Sequence, residues 1–135
     1  MISFKPVLTA AIVRTALEAA IAAAQTEQHN MSVAIVDEGG YLFCLQRMDN
    51  AGLMTPKVAG DKARTAALLR APSRMLADRV TTDVALLRLT DYLPMAGGLP
   101  IIIQGHCVGA IGVSGGTPEQ DERVGQAGLA ALQLD

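Results

Sequence analysis

The segment from Gly97 to Gly116, GGLPIIIQGHCVGAIGVSGG, does most to limit what this chain can fold into. A glycine pair opens it, Pro100 fixes the entry, and Ile101, Ile102 and Ile103 follow. A break at Gly105-His106 leads to a second apolar run that ends on Ser114, Gly115 and Gly116. Apolar runs of this length on either side of a two-residue turn predict a β-hairpin, buried on at least one face and placed at the sheet centre. Gly109 and Gly112 lie inside the second strand, where glycine weakens pairing. They predict that another backbone or a flat ligand comes close there.

The remaining elements are arranged around this hairpin. Residues 7–28 read as a helix with Val13, Leu17, Ala20, Ile21 and Ala24 on one face. A strand is expected from Met31 to Val36, then a turn at Asp37-Glu38-Gly39-Gly40. A strand from Tyr41 to Arg47 follows, with Tyr41, Phe43 and Leu45 on one face. Thr55 as N-cap and Pro56 at the first helical position predict a helix to about Arg70, ended by Ala71-Pro72. Ser73 is expected to cap a short helix through Val80. Thr81 to Asp91 fits neither helix nor strand cleanly. Thr117, Pro118 and Gln120 spell a capping box for a last helix to Leu132, with Val124, Ala127 and Ala131 inward. Hairpins rather than helical crossovers join the strands, so the fold class is α+β, with a mainly antiparallel sheet flanked by helices.

Composition sets limits on function. A length of 135 residues predicts one domain over 1–135, and half the residues are apolar, enough for a sizeable core. The formal charge is −2 with no basic run, so nucleic acid is not an expected partner. The start lacks the pattern of a signal peptide, and Arg14 and Glu18 interrupt the first apolar helix. No membrane span and a cytoplasmic location are therefore expected. Cys44 and Cys107 have no metal-type spacing and read as buried reduced thiols, so no metal site is expected from them or from His29 and His106. Few aromatic and many small residues predict close helix–sheet packing and further burial between subunits.

The best candidate for chemistry is Asp61-Lys62-Ala63-Arg64-Thr65. Helical spacing puts Thr65 beside both Asp61 and Lys62. A lysine on an otherwise small-residue face can bind a ligand carboxylate. If desolvated, it can act as base or nucleophile, with Thr65 beside it. The structural alternative is a solvated Lys62 with Thr65 bonded back to a carbonyl one turn earlier. Gly97-Gly98 can offer backbone N–H groups to an anion, or form a tight turn. Arg47 borders the loop carrying Asp49, either as an edge of a pocket or in a surface ion pair. Asp37 and Glu38 are expected to stabilise the first turn, and His106 to be exposed.

Several blocks, taken in order, resemble one family. They are Val33-Ala34-Ile35-Val36-Asp37-Glu38-Gly39-Gly40, Gln46-Arg47-Met48-Asp49, Lys62-Ala63-Arg64-Thr65-Ala66 and Gly97-Gly98-Leu99-Pro100-Ile101. Gly109-Ala110-Ile111-Gly112-Val113-Ser114-Gly115 and Glu119-Gln120-Asp121-Glu122 complete the set. At this spacing they are similar to the GlcG/HbpS-type family of small bacterial proteins, which includes the C-terminal domain of PduO-type proteins. The resemblance implies a profilin-like α/β/α layering and assembly into homo-oligomers, dimers or larger.

It also implies three alternative functions. The first is binding of a flat carboxylate-bearing ligand, haem or another tetrapyrrole, between helix 55–70 and the glycine-rich loops. Arg47, Asp61, Lys62, Thr65, Gly97 and Gly98 would then be the ligand-binding residues. The second is a cofactor-free lyase or isomerase for a small aromatic or hydroxy acid, such as a hydroxylaminobenzoate. Lys62 and Thr65 would be catalytic there, and the Gly97-Gly98 amides would stabilise negative charge. The third is a non-catalytic accessory subunit. For haem, neither histidine is placed as an evident axial ligand, Met54 and Met95 are weak substitutes, and Thr65 is a poor one.

Overall fold

In the computed structural model, which describes residues 1–89 and 91–133, four helices and four strands form three layers. They run in the order α1 (Ala10–Thr26), β1 (Ser32–Asp37), β2 (Leu42–Arg47), α2 (Thr55–Leu69), α3 (Ser73–Val80), a 3-10 turn Val84–Arg88, β3 (Gly98–Ile103), β4 (His106–Ser114) and α4 (Pro118–Ala130). The sheet is antiparallel throughout, in the order β2-β1-β4-β3. Helices α1 and α4 cover one face and α2 the other. The expected α+β class with its α/β/α layering holds. The hairpin meant for the sheet centre is only half there, since β4 is internal and β3 is an edge. Its turn residues are Gln104 and Gly105, both at positive φ, so His106 opens β4 instead of sitting in the turn.

Alternation along the strands gives the two faces different sizes. Val33, Ile35, Ile111 and Val113 join Val13, Ala20 and Val124 from α1 and α4 in the main core. On the other face Val36 and Ala110 meet only Ala63, Ala66 and Ala67 of α2. Gly112 carries this reduction furthest, because a Cβ there would overlap the carbonyl oxygen of Ala59 and sit 2.6 Å from the Ala63 nitrogen. What approaches Gly112 is therefore helix backbone, not a flat ligand. At Gly109 the close neighbours are the Val36 carbonyl and the Leu8 side chain.

Three local readings change because tertiary partners claim the residues. Thr55 is not the cap of α2, which starts after Met54; its hydroxyl donates to the Gly52 carbonyl at 2.7 Å and lies 2.8 Å from the Ser32 hydroxyl. Ser73 is buried and its hydroxyl donates to the Met95 carbonyl at 2.6 Å, so α3 begins without a side-chain cap. In β2 a register shift between Ile35 and Val36 breaks the expected alternation. Leu45 pairs with Ala34, Leu42 with Val36 and Arg47 with Ser32, which places all three on the α2 face. The 3-10 turn occupies part of the unassigned 81–91 stretch, of which Thr90 lies outside the described residues.

The last helix starts as read, with both halves of the Thr117–Gln120 capping box formed. It ends at Ala130, and Gly125 and Gly128, not Ala131, face the core with Val124. A Cβ on Gly128 would lie 2.8 Å from the Ala16 carbonyl, so α1 and α4 also cross at close range. Replacing Gly112 by alanine is expected to cost about 3 kcal/mol or more by urea denaturation, because rigid backbone on both sides prevents relaxation. Gly105→Ala meets no neighbour within 4 Å, and its cost is expected to be confined to its positive φ. Equal losses at the two positions would contradict this packing.

Candidate functional site

The second turn of α2 carries Lys62 inward, toward the seam between β4 and the start of α4. Its side chain is 1% exposed, and its ammonium donates to Asp121 Oδ2 at 2.8 Å and to the Val113 carbonyl at 3.0 Å. Asp121 is 3% exposed, and its other oxygen accepts from the Gly116 N–H at 2.8 Å. It lies in the first turn of α4, where the helix dipole favours a carboxylate. Neither partner of this buried pair is left with an unsatisfied side-chain atom. The carboxylate that Lys62 meets belongs to the chain itself.

Gly97 and Gly98 are brought against Lys62 as the sequence suggested, but as space rather than as anion donors. A Cβ on Gly97, at φ +130, would fall 2.9 Å from the Lys62 ammonium, and one on Gly98 would overlap the Lys62 carbonyl. The Gly98 N–H donates to the Ser73 hydroxyl at 2.9 Å, and the Gly97 carbonyl accepts from the Val113 N–H at 3.0 Å. Thr65 is 1% exposed; it donates to the Asp61 carbonyl and accepts from the Leu93 N–H. That is the back-bonding alternative, with a loop anchored in addition. Lys62, Gly97 and Gly98 therefore form a closed knot joining α2, β3, β4 and α4, while Thr65 ties α2 to the loop at Leu93.

Asp61 and Arg47 point elsewhere. The outer side of α2 and the α2 face of β2 enclose a slot of about 310 Å³ between Leu42, Leu45, Pro56, Gly60 and Arg64. Leu42 is 60% exposed and Leu45 41%, unusual for strand residues on the helix side of a sheet. A Cβ on Gly60 would meet nothing within 4 Å, so the glycine leaves the slot open. Cations edge it: Lys57 bonds Asp61 at 2.7 Å, and Arg64 bonds Asp91 at 2.7 Å. The hydrogen bond that Lys57 donates to Asp61, and then the charge of that carboxylate, hold the exposed Lys57 ammonium above the ordinary lysine value. Arg47 is exposed on the same strand face, two residues beyond Leu45, and has no ion pair with Asp49 among the described residues.

Other side chains are less engaged with a cleft. Asp37 Oδ1 accepts from the Gly39 and Tyr41 N–H groups and so stabilises the first turn as expected, whereas Glu38 reaches to Lys5. Burial pushes the Cys44 thiol up, partly offset by a backbone hydrogen bond, which keeps it protonated. Both cysteines are free and half-buried. His106 is exposed, and His29 lies 3.3 Å from Glu27. Among the described residues no His, Cys, Asp and Glu group is arranged to hold a metal ion, and no helix is long and apolar enough to cross a membrane.

A family model described as haem degrading protein HbpS-like matches residues 8–130. The chain belongs to the HbpS-like family. An uncharacterised 15.0 kDa protein from the dhaT–dhaS intergenic region of Citrobacter freundii is 39% identical over 101 residues, 71% of each chain. Protein GlcG of Escherichia coli K12 is 34% identical over 92 residues, 67% of this chain and 69% of GlcG. The corrinoid adenosyltransferase PduO of Salmonella typhimurium is 33% identical over 86% of this chain, which spans only 36% of PduO.

The fold is shared as well. A double mutant of Streptomyces reticuli HbpS superposes with a TM-score of 0.91 at 34% identity, covering 97% of this chain and 90% of that one. A complex of PduOC with haem superposes with a TM-score of 0.88 at 27% identity, covering 96% and 98%.

Asp121 is the functional-looking residue that the sequence alone did not connect to Lys62. The available signal was a lysine amid Ala59, Ala63 and Ala66, a face with no acidic neighbour to share its burial. Removing one partner of a buried pair leaves the other uncompensated. Lys62→Met is expected to cost about 3–5 kcal/mol by urea denaturation, with much of that recovered in Lys62→Met/Asp121→Leu. A small loss in the single variant would show that the pair is solvated.

Proposed function

We propose that this HbpS-like protein binds a flat, carboxylate-bearing small molecule, haem or another tetrapyrrole, in the slot between α2 and β2. The observation that carries this reading is an open apolar slot on an otherwise tightly packed α2, with Gly60 facing empty space and two exposed leucines opposite. A macrocycle has two apolar faces and anionic substituents at one edge. Leu42, Leu45 and Pro56 line the slot and suit the faces. Arg47, exposed two residues beyond Leu45 on the same strand face, suits the carboxylates, whereas Lys57 and Arg64 at the edge are already paired with Asp61 and Asp91. The HbpS family description and the haem complex of PduOC support the same ligand class.

The side chains around the slot fit the macrocycle better than they fit iron. No His, Cys, Met or Tyr lines it, so this chain offers no strong axial ligand there. Haem bound here would be held by its faces and its propionates, and would supply redox chemistry that no side chain of the slot directs. The slot is open on one side, and a second copy of the chain in a homo-oligomer would cover the exposed leucines. Binding is favoured over lyase or isomerase chemistry because Lys62 and the Gly98 amide are already bonded within the chain.

Titration with haemin, followed at the Soret band, tests the reading. A saturable one-to-one shift is expected. Gly60→Phe, whose Cβ meets nothing within 4 Å and whose ring would occupy the slot against Leu42 and Leu45, is expected to abolish it while leaving the melting temperature at or above that of the parent. Arg47→Ala is expected to weaken binding about tenfold, equivalent to about 1.4 kcal/mol for a charge-assisted contact. Unchanged haemin binding by Gly60→Phe would overturn the location, and a shift that never saturates would overturn the function.

A further inference from the structure

A second cavity lies beyond the slot, where the C-terminus of α2, the segment before α1 and the β3–β4 turn come together. It measures about 430 Å³, and its charged and polar lining consists of Lys5, Glu38, Arg70, His106 and Cys107. Lys5 and Glu38 neutralise each other at 2.7 Å. Arg70 and His106 have no carboxylate partner among the described residues. The Cys107 thiol donates to the Ala67 and Gly109 carbonyls. The balance of the lining is therefore positive, in a chain whose overall charge is −2.

The backbone at Arg70 adds an independent observation. It ends α2 in the left-handed conformation, φ +54 and ψ +36, which at a helix C-terminus is normally left to glycine. An arginine there is strained, and it gains no partner within the chain in return. Strain of this kind persists where a side chain is needed in one place. Gln104 and Gly105, both at positive φ, turn the chain tightly so that His106 opens β4 at the edge of the same cavity.

We infer that this cavity binds a small doubly charged oxyanion, carried by a phosphomonoester or a dicarboxylate. The planar guanidinium of Arg70 offers a two-pronged grip that matches either group, and His106 supplies a second donor. Lys5, steered by Glu38, closes the edge. The inference does not depend on the slot between α2 and β2, which shares none of these residues.

The test uses the full chain, titrated with inorganic phosphate and with malonate against sodium chloride of equal ionic strength. The His106 imidazole resonances and the melting temperature are followed. Saturable movement with phosphate, with malonate or with both supports the site and identifies the group it accepts. Arg70→Gly is expected to lose at least tenfold in affinity while its melting temperature without ligand stays equal or rises, because glycine accepts φ +54 freely. Loss of binding then cannot be assigned to loss of fold. Saturating haemin is expected to leave phosphate or malonate binding intact. Three results would overturn the proposal: no response beyond the chloride control, undiminished binding in Arg70→Gly, or displacement of the anion by haemin, which would make this cavity the haem site.

Discussion

One buried ion pair governs how the layers meet. The Lys62 ammonium crosses from α2 to the carboxylate of Asp121 in the first turn of α4, passing the β3–β4 seam on the way. A charge so far from water is tolerable only with its counter-charge and hydrogen-bond partners supplied, and both are. Because Lys62, Val113 and Asp121 lie on three elements, α2, β4 and α4, the pair fixes their relative placement with a specificity that alanine–glycine contacts lack. Gly97 and Gly98 are the counterpart of this arrangement: a side chain at either would collide with Lys62.

The same economy of side-chain volume separates scaffold from site. On the α1–α4 face branched residues fill a conventional core, and on the α2 face alanines and Gly112 let the helix sit almost on the sheet. Helix α2 lies mainly over β4, β1 and β3, and the α2 face of edge strand β2 is left largely uncovered. The slot is thus a consequence of the sheet being wider than the helix that covers it. Leu42 and Leu45 are exposed for that reason, and a ligand or another subunit would gain their burial.

The sequence made the elements legible where local chemistry decides them. The capping box at Thr117, the glycine turn after Asp37 and the inner stripe of α1 were all set by neighbours in the chain. It misled where long-range partners took the same groups. Thr55 and Ser73 look like caps, yet their hydroxyls serve Ser32 and Gly98. The β2 alternation failed at a register shift that no residue type announces. The candidate site divided in the same way. Lys62, Gly97 and Gly98 lie together, but what they share is an interior contact, whose partner Asp121 is one of 13 acidic residues with no local mark. Thr65 serves its own helix and the loop at Leu93 instead. Gly60 and the leucines of β2 gained meaning only once the helix and strand were set side by side.

The central claim, that the Lys62 charge is sealed inside against Asp121, is tested most directly by side-chain ammonium NMR. The chain has three lysines, and the side chains of Lys5 and Lys57 are 52% and 81% exposed. The account predicts one ammonium signal, assigned to Lys62, that is protected from solvent exchange and shows contacts to Gly97 protons. Three ammonium groups that all exchange as fast as free lysine would contradict it.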